Sequence, residues 1–184
     1  MKLSKLTKMN FMAICCIIGL FSKKLINPFA NVITDTLHIP GGVSTGFSIM
    51  FIVIAAELVQ EKKSATMMSS AQGLLALMLG RVGSMGILMP LGYLVPGVVI
   101  DVVFYFMRNA TTQERLVIAN SLAALFASLT ANLLVFQLTG PVLVLYLSIS
   151  ALSGACYGFL ATLLTQRLFN ILHCRRMNYE IKKN

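Results

Sequence analysis

Charge is what this sequence lacks most. Of its 184 residues 11% are charged, where a soluble domain carries roughly 25%, so the chain is too apolar to be a water-soluble domain. Tryptophan is absent, which removes the best stacking platform for a cationic aromatic ligand. No glycine-rich G-x-x-x-x-G-K-[ST] loop occurs, so ATP binding of the usual kind is excluded. H-E-x-x-H is missing as well, and with it the commonest zinc-protease signature. The four cysteines, Cys15, Cys16, Cys156 and Cys174, show no C-x-x-C spacing. Cys15 and Cys16 lie in an apolar run, where cysteine acts as a small hydrophobe. Neither a metal nor any other cofactor is expected.

What the chain has in abundance is apolar length. Hydrophobic residues make up 57% of it and its mean hydropathy is +0.82. A helix needs about 20 apolar residues to cross the hydrocarbon, so the length accommodates six spans with short loops and no soluble domain. The net charge of +9 is confined mostly to short segments between apolar runs. That distribution orients membrane proteins and argues against nucleic acid as a partner.

The expected spans are about 9–26, 43–60, 64–80, 85–107, 116–138 and 142–168. Span one should stop at Asn27-Pro28, because proline cannot comfortably continue a helix. A loop then holds Asp35, His38 and the turn Pro40-Gly41-Gly42. Glu61-Lys62-Lys63 closes span two, Ser64 is placed to cap span three, and the polar stretch Arg108 to Arg115 links spans four and five. The basic N-terminus before FMAICCIIGLF resembles a signal peptide. It lacks a small-x-small cleavage site, and Ile14 stands where a lipoprotein signal wants a small residue. The segment is therefore expected to be a retained first helix.

Counting Lys and Arg fixes the orientation. Twelve fall on the side of the N-terminus, the loops after spans two and four, and the tail; three (Lys23, Lys24, Arg81) fall opposite. The positive-inside rule puts both termini in the cytoplasm. Asp35, His38, Arg81, Ser84 and Gln137 then belong to the outer half, and Glu57, Asp101 and Asn120 to the inner half. The expectation is an all-α integral membrane protein, a six-transmembrane-helix bundle in the plasma membrane of a prokaryotic cell.

The stretch GRVGSMGILMPLGYLVPGVVIDVVFYF, Gly80 to Phe106, organises the rest. It sets an arginine between glycines, carries two prolines in an apolar run and holds an aspartate near its far end. Glycines permit close backbone approach, and prolines free carbonyls that only protein or water satisfies within a membrane. An intramembrane ionisable group marks a functional site, so the stretch points to a small-molecule pocket. Arg81 leads the candidates, because guanidinium binds carboxylates or phosphates bidentately. Asp35 and His38 are placed to cap a ligand from the first outer loop. Ser84, Tyr93, Asn132, Gln137 and Tyr146 supply the few oriented polar contacts that such sites use.

The chain resembles the substrate-binding (S) component of energy-coupling-factor (ECF) vitamin transporters. The resemblance covers roughly Met9 to Leu172. It is carried by six short-looped spans, a small-residue stripe in span one, and the blocks IPGGVSTGFSIMFIVIAAEL (Ile39 to Leu58) and SAQGLLALMLGRVGSMG (Ser70 to Gly86). These blocks are most similar to the branch associated with thiamine and its hydroxymethylpyrimidine precursor. The resemblance implies a binding subunit without catalytic residues of its own. Such a subunit takes a micronutrient from outside and passes it inward with a membrane coupling subunit and two ATPase subunits. The family's first helix meets the coupling subunit through an Ala-x-x-x-Ala-type stripe; the nearest match here is Ala13, Cys16 and Gly19, which departs from the alanine pattern.

The ligand stays open. Thiamine is cationic, yet Asp35 is the one outer acid. Arg81 with Lys23 and Lys24 leans to an anionic nutrient, and a haem-like ligand on His38 or Met85 is a third choice. Two other readings stand beside transport: a six-span structural scaffold of cell-shape type, and an intramembrane enzyme with Ser153, in Ala-Leu-Ser-Gly, as nucleophile.

Overall fold

The structure, a computed structural model, describes residues 5–37, 43–80 and 83–181, with side chains described except at 5, 23–25, 27, 29–37, 43, 83–85 and 171–181. These residues form six α-helices: α1 (Lys5–Leu37), α2 (Val43–Val59), α3 (Ser64–Met78), α4 (Met89–Phe106), α5 (Thr112–Ala131) and α6 (Gly140–Ile181). A 3-10 segment, Gly83–Leu88, leads into α4, and a π-turn, Asn132–Phe136, ends α5. The described residues include no strand.

Helix α2 is the hub. Every residue from Ile52 to Val59 is buried, and the helix packs on α1, α5 and α6 as well as α3. A helix that is apolar all round belongs in an interior. Its Ile52, Val53 and Ala56 form one core with Met68 of α3, Ile100 of α4 and Leu116 of α5.

Small residues bring the helices together. A Cβ on Gly154 of α6 would lie 2.9 Å from the carbonyl oxygen of Asn120 and 2.9 Å from Cα of Ser121, both on α5. Only glycine permits that approach, the usual device where apolar helices associate without a hydrophobic driving force. Asn120 sews the crossing: its Nδ2 donates to the Gly154 carbonyl at 2.7 Å and to the Gly46 carbonyl of α2 at 3.3 Å.

The ion pairs and a cross-helix cap gather at one end of the bundle, the basic end. Lys8 at the start of α1 pairs with Glu61 beyond α2 at 3.0 Å. Arg115 at the start of α5 grips both carboxylate oxygens of Glu57 at the end of α2, Nε to Oε2 at 2.9 Å, and its guanidinium stands 5.5 Å over the Phe104 ring of α4. Asp101, late in α4, accepts the N–H groups of Ala65 at 3.3 Å and Thr66 at 2.8 Å and the Thr66 hydroxyl at 2.5 Å. Starts and ends of successive helices thus meet, so the helices run alternately up and down.

Several expected boundaries are corrected. Helix α1 continues through Pro28 to Leu37; proline removes one N–H and crowds the carbonyl four residues back, but it does not end this helix. Ser64 does not cap α3: Lys63 is the N-cap residue, with φ 63° and no side-chain cap bond, and Asp101 supplies the acceptor from α4. Helix α5 begins four residues before the expected 116. Thr111 and Glu114 form a capping box, the Glu114 N–H donating to Thr111 Oγ1 at 3.3 Å and the Thr111 N–H to Glu114 Oε2 at 3.1 Å. Helix α6 runs from Gly140 to Ile181, beyond the expected 142–168.

Among the described residues three helical stretches are long and apolar enough to cross a membrane: Gly86–Phe106, Thr112–Phe136 and Gly140–Asn170. Leu6–Ser22 and Ser44–Val59 are apolar but shorter. At 1.5 Å per residue the 17 residues of α2 rise about 25 Å, short of the roughly 30 Å hydrocarbon core. Helix α2 is instead sheathed by its neighbouring helices.

Candidate functional site

The end opposite the ion pairs is built from irregular backbone. Gly80 (φ 66°) stops α3, Gly86 (φ 55°, ψ −134°) breaks the 3-10 segment, and Gln137 (φ 50°) and Gly140 (φ 64°) turn the chain from α5 into α6. The 3-10 segment touches the π-turn, so the two irregular pieces meet. Irregular backbone is tolerated at membrane depth only where protein buries it or where it lines a cavity, and π-turns gather at functional sites. This end is the candidate site.

Two groups of side chains furnish it. Tyr93 is buried with Leu20 of α1, Ala76 of α3 and Met89 of α4. On the other side, Asn132 clasps the π-turn. Its Oδ1 accepts the Leu138 N–H at 2.8 Å, its Nδ2 donates to the Leu138 carbonyl at 3.3 Å, and its own carbonyl accepts the Gln137 N–H at 2.8 Å. Gln137 is exposed. Buried Tyr146 meets Phe136 edge-on, ring centroids 6.1 Å apart. Ser128 shares a 2.6 Å hydrogen bond with Ser150, which donates to the Ala124 carbonyl at 2.9 Å.

The structure thus brings Asn132, Gln137 and Tyr146 together on the α5–α6 hairpin and sets Tyr93 among α1, α3 and α4. Asn132 has both amide groups engaged within the chain. Arg81 and His38 lie outside the described residues, as do the side chains of Asp35, Ser84, Met85, Lys23 and Lys24.

One buried polar residue is absent from the expected site. Gln72 of α3 is 1% exposed; its Nε2 donates to the Cys16 carbonyl of α1 at 3.1 Å, and its Oε1 has no hydrogen-bond partner among the described residues. Its mid-span position in the sequence is a signal, because an amide in an apolar helix seeks a buried partner. Part of the expected stripe of α1 lies at the same place. Ala13 faces outward, but Cys16 and Gly19 are buried, and a Cβ on Gly19 would stand 2.5 Å from Gln72 Nε2. Within the chain they contact α3 at Gln72.

Asp101 and Glu57 lie at the basic end, in the helix-joining contacts already described. The Ser153 hydroxyl donates to the Ser150 carbonyl at 2.9 Å, a bond within its own helix. Among the described residues no group of three or more His, Cys, Asp or Glu side chains is placed to hold a metal.

The class that emerges is an all-α bundle of six alternating helices, ion-paired at one end and irregular at the other, with three stretches fit to cross a membrane. No family model matches the sequence, and no curated protein matches it. A solved structure described as "Crystal structure of an S-component of ECF transporter" superposes with a TM-score of 0.69 over 98% of this chain and 94% of that one, at 21% identity. The chain has the fold of that S component.

Proposed function

We propose that this protein is the membrane substrate-binding subunit, the S component, of an ECF-type importer. It captures a small micronutrient from outside and delivers it inward with a membrane coupling subunit and two ATPase subunits. The observation that carries the reading is the fold match over nearly the whole of both chains. The positive-inside count supports a cell-membrane protein with both termini in the cytoplasm, which turns the irregular end outward.

In this reading Arg81, Ser84, Asp35 and His38 meet the nutrient, and Tyr93, Asn132, Gln137 and Tyr146 wall the irregular end. The ligand class is a vitamin or vitamin precursor, thiamine-related by the similarity of the two blocks or carboxylate-bearing by the cations of Arg81, Lys23 and Lys24. The small-residue stripe of α1, Ala13, Cys16 and Gly19, meets the coupling subunit.

The test is co-expression of the full chain with a coupling subunit and its ATPases, followed by native mass spectrometry and an uptake assay. A stoichiometric complex holding one small molecule per chain, with uptake that stops when the ATPases are inactivated, is the expected result. Neither complex nor ATPase-dependent uptake would leave a structural scaffold as the better account.

A further inference from the structure

A groove of about 390 Å³ opens on the side of the bundle between α3 and α4, at the basic end. Its wall is almost wholly apolar in character. Val98, Val102, Tyr105 and Phe106 line it, and these residues are 42%, 47%, 70% and 78% exposed. A groove so lined and so open faces the surroundings of the bundle rather than its interior. For a chain that crosses a bilayer those surroundings are acyl chains.

The lip of the groove is positively charged. Lys63 lines it and Lys62 precedes it in the α2–α3 turn; both are exposed. Among the described residues no carboxylate pairs with either, because Glu61 is engaged by Lys8. Asp101 also lines the groove, but its carboxylate already accepts three hydrogen bonds from Ala65 and Thr66. It thereby anchors the first turn of α3, and Lys63 stands immediately before that turn. Tyr105 and Phe106 stack edge-to-face, ring centroids 5.4 Å apart, and line the same groove as Lys63. Such aromatics favour the headgroup region.

We infer that this groove is a binding site for one anionic phospholipid, an acyl chain lying along Val98 and Val102 and the phosphate resting on Lys63. Basic pockets between membrane helices hold anionic headgroups, and each lysine near such a surface adds attraction that salt screens. The inference rests on the chain spanning a bilayer and not on the transport reading, so loss of uptake leaves it standing.

The experiment uses the full chain, purified and stripped of lipid in a mild detergent, titrated with phosphatidylglycerol or phosphatidylcholine and read by native mass spectrometry. One phosphatidylglycerol should be held preferentially. Lys63→Gln should weaken it about fivefold and Lys62→Gln/Lys63→Gln by roughly 25-fold. Val98→Trp, which fills the groove from an exposed position, should displace both lipids while circular dichroism and Tm stay as in the parent. Should Val98→Trp prove unstable, Val102→Trp serves the same purpose. Equal retention of the two lipids, indifference to the lysine changes, or a second copy of the chain in place of lipid on this face would overturn the site.

Discussion

Arg115 holds Glu57 in a two-pronged grip that joins the start of α5 to the end of α2. The side chains are 16% and 4% exposed, so both charges have left water. Removing one partner of a buried pair strands the other charge. Arg115→Ala or Glu57→Ala should therefore lower unfolding free energy in detergent by about 3–5 kcal/mol. Replacing the pair together, as Glu57→Leu/Arg115→Met, should recover most of the loss. Denaturation curves of the four proteins decide this, and a double variant as unstable as the worse single one would show that the pair does not act as a unit.

The crossing of α5 and α6 depends on contact rather than charge. Gly154→Val puts carbon where the Asn120 carbonyl and Ser121 Cα already stand, and overpacking of this kind costs about 1–3 kcal/mol. Since Asn120 donates to the Gly154 carbonyl, the same change should loosen that bond. Hydrogen exchange along α5 and α6 should rise in Gly154→Val and stay unchanged in Leu152→Val, whose side chain is exposed. Equal exchange in the two variants would remove Gly154 from the crossing.

How much of this was legible in the sequence follows from how local each signal is. Six apolar runs announced six helices, and Thr111 with Glu114 three residues on is a capping signature readable without a structure, although it lies within the polar link between spans four and five. Pro28 misled, because local propensity argues for a break while the observed helix continues. The partners of Glu57 and Asp101 could not be read, since Arg115 and Thr66 are 58 and 35 residues away. Periodicity carries no information on which helix neighbours which. At the irregular end Gly80 and Gly140 take positive φ at the turns, but nothing local showed that Asn132 would engage both its amide groups in one of them.

Arg81 carries the prediction for ligand capture. A charged group that binds a carboxylate or phosphate contributes roughly 1.5–3 kcal/mol through its hydrogen bonds, a factor of about 10 to 150 in affinity. Arg81→Ala should therefore weaken retention of the co-purifying molecule by that factor while leaving Tm unchanged. Arg81→Lys should recover only part of it, because the planar fork is lost. Full retention in Arg81→Ala would move the site elsewhere on the irregular end.

Gly19 and Gln72 offer the sharpest test of how α1 meets α3. The amide of Gln72 fills the space that a Cβ on Gly19 would need, at 2.5 Å from Nε2, with the Ser48 carbonyl 3.4 Å away on the α2 side. Gly19→Ala alone should cost about 1–3 kcal/mol through overpacking, and it should also displace the Nε2 donor from the Cys16 carbonyl. Gln72→Ala alone loses that hydrogen bond and leaves a void. Combined, the alanine at 19 occupies part of the void and the clash disappears. The double variant should then be more stable than the two single losses predict, with a coupling of about 0.5–3 kcal/mol. Strict additivity would mean that the two residues do not touch, and that Cys16 and Gly19 turn their small surfaces to something other than Gln72.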